Sequence, residues 1–169
     1  SETHGLVALP RDGEPRFFVH DPAHPEGSET TLSHPGIRSL HATRDTLWIG
    51  TMGSGVSRLD LTTGRLRHYR PEARRDDRLA DGYVLDMMPG ADGRLWVGTR
   101  FGGLARLDPE SGAVERILPD PERPDALSHE AVTGFTRDRQ GRLWIGTQGG
   151  GLNQYLGEAG GEARFRVID

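Results

Sequence analysis

The sequence has neither cysteine nor lysine, few aromatic residues, and no apolar stretch long enough to span a bilayer. Without cysteine there are no disulfide staples and no thiolate metal sites, and thiol usage says nothing about compartment. Without lysine all 21 basic residues are arginine, a uniformity that fits codon composition better than a phosphate-binding device. These arginines are scattered among 25 acidic residues for a net charge of -4, so the basic stripe of a DNA- or RNA-binding protein is missing and no nucleic-acid partner is expected. No apolar run approaches about 18 residues and no basic-then-apolar amino terminus is visible. Contact with a membrane is therefore expected only through segments outside this sequence. Helical periodicity of 3.6 is also missing between the turn residues.

The chain is rich in turns, with 24 glycines and 11 prolines, and it repeats itself. Trp48, Trp96 and Trp144 are 48 residues apart, each inside Leu-Trp-(Ile/Val)-Gly-Thr. A fixed period of that size marks a repeat architecture. Seven residues after each Trp comes Gly55, Gly103 or Gly151, followed by Val56, Leu104 or Leu152. Asp60 and Asp108 open the turns "DLTTG" and "DPESG", whose final Gly suits a positive φ. Four short apolar segments per unit follow: A (37–43, 83–89, 132–138), B around each Trp, C at Val56, Leu104 and Leu152, and D ("LRHYR", "VERIL", "ARFRVI").

Four antiparallel strands with a recurring aromatic make a β-propeller blade. The fold class read from this pattern is all-β, a propeller segment of about three and a half four-stranded antiparallel blades. Residues 1–31 form a half blade of the outer two strands, its "GLVALP" matching C and its "PRFFVHD" matching D, and blades follow at 32–78, 79–126 and 127–169. All three tryptophans are expected to be buried between blades, one ring for each interface. Ser39, Asp86 and Gly134, small residues at equivalent places in A, suit a strand crowded near the axis.

The stretches "ADGRLWVGTRFGGLARLDPESG" and "DRQGRLWIGTQGGGLNQYL", with the leaders "LSHPGI" and "LSHEAV", resemble the two-component regulator propeller repeat, and the resemblance covers nearly the whole chain. It implies a non-enzymatic, periplasmic or otherwise extracytoplasmic sensor region of a membrane-bound signalling protein, coupled to a histidine kinase or a diguanylate cyclase. An oligosaccharide or other small ligand fits that implication.

Because propeller strands alternate in direction, the D-to-A and B-to-C loops open on one face, where a ligand is expected. The B-to-C loops supply Met52, Ser54, Arg100, Phe101 and Gln148, and the D-to-A loops supply His34, Arg78, Asp81, Tyr83 and His129. The competing reading for Arg100 and Phe101 is that they seal a blade interface. Asp86 either points into the axial channel, to bind a cation or a sugar hydroxyl, or accepts bonds from neighbouring backbone amides. His20 and His24 sit on a Pro-interrupted loop without the geometry of a metal pair, and the turns at Asp45, Asp92 and Asp138 lack the oxygen series of a calcium loop. No catalytic constellation, metal site or cofactor is expected. A structural scaffold for protein assembly is the main alternative, and sialidase-like or quinoprotein-type propeller enzymes are lesser ones. An open arc leaves two raw blade faces, so self-association through them is expected.

Overall fold

The computed structural model describes residues 5–9, 14–72 and 74–168, and every regular element among them is a β-strand. Strands β1 (Gly5–Ala8) and β2 (Arg16–Val19) pair alone. Three four-stranded antiparallel sheets follow in strict sequence order. The first blade contains β3 (Ile37–Ala42), β4 (Thr46–Thr51), β5 (Val56–Asp60) and β6 (Leu66–Tyr69). The second contains β7 (Val84–Pro89), β8 (Leu95–Thr99), β9 (Leu104–Leu107) and β10 (Val114–Ile117). The third contains β11 (Val132–Arg137), β12 (Leu143–Thr147), β13 (Leu152–Ala159) and β14 (Glu162–Ile168). The chain is thus an all-β propeller segment. Residues 1–4 and 10–13 of the amino-terminal unit lie outside the described residues.

Turn chemistry sets the meander. In "DLTTG" the Asp60 carboxylate accepts the amides of Thr62 (2.9 Å) and Thr63 (2.8 Å), and Gly64 closes the turn at φ 76°. Those amide bonds hold the Asp60 carboxyl below its usual range. The third blade has no such aspartate. Its β13 and β14 run longer, to a turn at Gly160 and Gly161, both at positive φ.

The first strands of successive blades, β3, β7 and β11, pack side by side and form the inner edge of the arc. Each carries a register shift at the same place, between Ile37 and Ser39, Val84 and Asp86, and Val132 and Gly134. Alternation along each second strand sends its Trp towards the following blade and the flanking aliphatics towards the preceding one. Trp48, Val56 and Tyr69 therefore pack on Val84, Leu95, Val97 and Leu107 of the second blade. Trp96, Leu104 and Ile117 pack on Val132, Leu143, Ile145 and Phe165 of the third. Leu6 and Phe18 of the β1–β2 pair cover Ile49 and Leu59.

The expectation of three buried tryptophans holds for Trp48 and Trp96, which are 6% and 4% exposed, but fails for Trp144. Trp144 is only half-buried, because no described sheet follows the third blade. Leu152 and Ile168, the counterparts of the buried Leu104 and Ile117, are 39% and 43% exposed beside it.

Candidate recognition site

The B-to-C and D-to-A loops do share a face. One frame holds them three times over. The amides of Met52, Arg100 and Gln148 donate to the carbonyls of Gly36, Tyr83 and Ala131, at 3.0, 3.0 and 2.9 Å. Within each turn, Thr51, Thr99 or Thr147 donates its hydroxyl to the carbonyl of Gly55, Gly103 or Gly151. Those glycines take positive φ, and a Cβ on Gly103 would lie 2.8 Å from the Ile117 carbonyl. The loops also join neighbouring blades: Gly55 donates to Gly82, Gly103 donates to Glu130, and Met52 bridges to Tyr83.

His34, Asp81 and His129 occupy one repeat position and do one job. Each accepts the amide two residues on: Gly36 at 2.9 Å, Tyr83 at 3.0 Å and Ala131 at 3.0 Å. Asp81 also accepts the Phe101 amide at 3.0 Å, so both its oxygens brace the loops. Asp86 accepts the Phe135 amide at 3.0 Å and ties the inner strands of the second and third blades. This is the backbone-acceptor role of the two weighed for Asp86. At the equivalent position in the first blade, the buried Ser39 hydroxyl oxygen has no hydrogen-bond partner.

The side chains that vary on this frame are exposed at the loop tips. Met52 is 41% and Phe101 64% exposed, and Arg100 and Gln148 are also exposed. Tyr83, Arg100 and Phe101 form one stack, with the guanidinium carbon 5.3 Å from the Tyr83 ring centre and 5.0 Å from that of Phe101. His129 and Gln148 sit on the third blade, and among the described residues no hydrogen bond, ion pair or ring contact joins them to that stack. Arg78 faces the outer rim instead, where it meets Asp77 and Glu72. There it lines a cleft of about 500 Å³ with His68, Arg70 and Gly112.

At the outer edge three unlike side chains pin the D-to-A loops, a set that the sequence pattern did not reveal. His68 donates from Nε2 to the Ser28 carbonyl (2.8 Å) and accepts the Ser57 hydroxyl at Nδ1 (2.7 Å); burial lowers its pKa below the usual histidine value. Arg116, its counterpart, donates to the carbonyls of Arg78 (2.7 Å) and Glu72 (3.0 Å). In the third blade Asn153 binds Ser128 twice, through the Ser128 amide and hydroxyl. The covariation of Ser57, Ala105 and Asn153 at one repeat position was the available signal. Ser57 and His68 resemble a nucleophile and its base, but Ser57 is wholly buried. The two histidines doubted as a metal pair have separate partners, His20 the Leu32 carbonyl and His24 the Asp21 carboxylate.

The fold and its loop face define a class, a β-propeller segment presenting variable loop tips on a repeated backbone frame. Residues 78–101 and 126–149 match the two-component regulator propeller model. Among solved structures it is similar to the extracellular domains of two proteins from B. thetaiotaomicron assigned as hybrid two-component systems, BT4673 and BT3049. The identities are 22% and 19% and the TM-scores 0.63 and 0.64, over 99% of this chain in each case. It is also similar to virginiamycin B lyase from Staphylococcus aureus, at 18% identity and TM-score 0.57, over 83% of this chain and 44% of that one. The chain spans 20% and 25% of the length of the two B. thetaiotaomicron structures. At these identities the likeness establishes the fold. No curated protein sequence matches the chain.

Proposed function

We propose that the chain is part of the extracytoplasmic recognition region of a membrane-bound signalling protein, and that its loop face binds a small ligand without catalysing a reaction. One observation carries this reading. Three loops share the same pair of backbone bonds, from the tip residue to the preceding loop and from the threonine to the glycine, yet present Met52, Arg100 and Gln148 at the same position. A rigid frame with variable tips is the physical form of a recognition surface, because the frame contributes stability and the tips are released to contact something else. The regulator-propeller match and the likeness to extracellular two-component domains support the signalling context. The test is a thermal-shift screen of saccharides and small organic acids against the protein and its Phe101→Ala variant. A ligand that stabilises the first and not the second is expected. Stabilisation of both alike would place recognition elsewhere.

A second reading, assembly, rests on the Trp144 face. Leu152 and Ile168 lie open there, while their counterparts are covered at the other two interfaces. A second copy, or another blade-bearing chain, that covers this face would bury Trp144 as Trp96 is buried. Light scattering of the protein and its Trp144→Glu variant tests it: self-association lost in the variant supports assembly, and a monomer near 18.6 kDa in both excludes pairing with a second copy.

A further inference from the structure

On the recognition reading above, the loop face has a ligand, and its chemistry narrows the class. We propose that Arg100 is a carboxylate-binding residue, and that the face takes a small acidic ligand whose carboxylate meets the guanidinium edge while its C–H or ring face lies on Phe101.

Five other arginines lie over a ring, and three of them pair with a carboxylate. Arg67, over Tyr69, donates instead to the carbonyls of Pro109 and Glu110, and Arg16, over Phe18, has no hydrogen bond or ion pair among the described residues. Of the three that pair, Arg58 lies over Trp48 and donates to Glu110 at 3.1 Å. Arg106 lies over Trp96 and donates to Glu115 at 2.5 Å. Arg142 lies over Trp144 and donates to Asp138 at 2.5 Å. In each, an aromatic ring takes the flat face of the cation and a carboxylate takes its edge, where the N–H groups point. Arg100 has the aromatic half of this arrangement twice over, from Tyr83 and Phe101. It lacks the other half: its guanidinium has no hydrogen bond or ion pair among the described residues. The nearby Asp81 carboxylate is already taken by the amides of Tyr83 and Phe101.

The main chain that carries this side chain is also fixed. The Arg100 amide is bound to the Tyr83 carbonyl and the Phe101 amide to Asp81. Little main-chain freedom is left to lose on binding, and a planar carboxylate can accept two parallel N–H bonds from such a fork. Phe101 and Met52 supply apolar surface beside it, which suits an acid carried on a pyranose or an aromatic ring. The equivalent positions hold Met52 and Gln148, so among the three loop tips this arrangement belongs to the second blade.

The experiment follows the Arg100 Nε–H signal by NMR and measures affinity calorimetrically, using D-galacturonate and benzoate as acidic probes and D-galactose and benzyl alcohol as their neutral counterparts. At least one acid should shift the Arg100 signal and bind about 10- to 100-fold more tightly than its neutral counterpart, as expected for a charge-assisted contact. Which acid binds distinguishes a sugar acid from an aromatic one. Arg100→Ala should abolish that preference, and Arg100→Lys should retain part of it by charge alone. Equal binding of acid and neutral probe, with Phe101→Ala still disruptive, would overturn the carboxylate and leave recognition standing. An unmoved Arg100 signal with all four probes would overturn the carboxylate proposal. If the saccharide and acid screen above also finds no ligand dependent on Phe101, the recognition reading falls with it.

Discussion

Trp96 and Trp144 occupy the same position in nearly the same words, "GRLWVGT" and "GRLWIGT", but they live in different surroundings. Trp96 is sealed by the third blade, packed edge-on against Tyr155 at 5.1 Å and covered by Arg106. No described sheet follows Trp144; its indole N–H donates to Asp138 at 2.8 Å and its ring stays half open. The comparison teaches that a repeat encodes half an interface, and the neighbour supplies the other half.

The largest way to break this comparison is truncation. Trp96→Ala should cost about 3 to 5 kcal/mol, as for other buried aromatic rings, and Trp144→Ala about 1 kcal/mol, since little packing is lost. Urea unfolding of the two variants checks this, and equal losses would mean that the third blade's face is covered in solution. A smaller effect is expected at the inner seam. Asp86→Ser gives the second and third blades the seam that Ser39 already has, and should cost about 1 kcal/mol through the orphaned Phe135 amide.

Two pH effects sharpen the contrast among blades. His68 is held neutral by burial, with a pKa below the usual 6.5, so its contribution is complete above that value and is lost as pH falls through the lowered pKa. The equivalent position in the second blade holds Arg116 in place of an imidazole. Melting curves at pH 8 and pH 5 should therefore show acid destabilisation in the protein that is reduced in His68→Gln. Asp138 has its pKa lowered to about 2, first by the Trp144 N–H and then by Arg142. Its contribution is present above the usual 3.8 and lost as pH drops from there towards about 2, so Trp144 emission should change in that window while Trp96 emission does not. The smallest expected effect is on stability at the loop tips. Arg100→Ala and Phe101→Ala should leave the melting temperature within a few degrees, because neither side chain is packed beneath a neighbour. Unfolding of either variant would instead support the interface-sealing reading.

The strands, their order and the phase of each tryptophan were legible because local chemistry specifies them. Apolar alternation sets each strand, Asp60 and Gly64 close a turn within five residues, and a period of 48 aligns every copy. The candidate site was legible only as a list of loop positions. His34, Asp81 and His129 look like ligand groups in sequence, and each also accepts an amide two residues along, a role set by how the loop folds. The stacking of Arg100 between Tyr83 and Phe101, and the Asp86 tie to Phe135, depend on approaches from 17 and 49 residues away. By itself the sequence determined a meander of blades and the ring that each offers to the next, because strand alternation and turn geometry are properties of neighbouring residues. Only the tertiary structure decided which rings are covered, which polar groups find partners and that the Arg100 guanidinium beside Tyr83 and Phe101 keeps an open edge, because burial and hydrogen bonding belong to pairs that the chain brings together only when it folds.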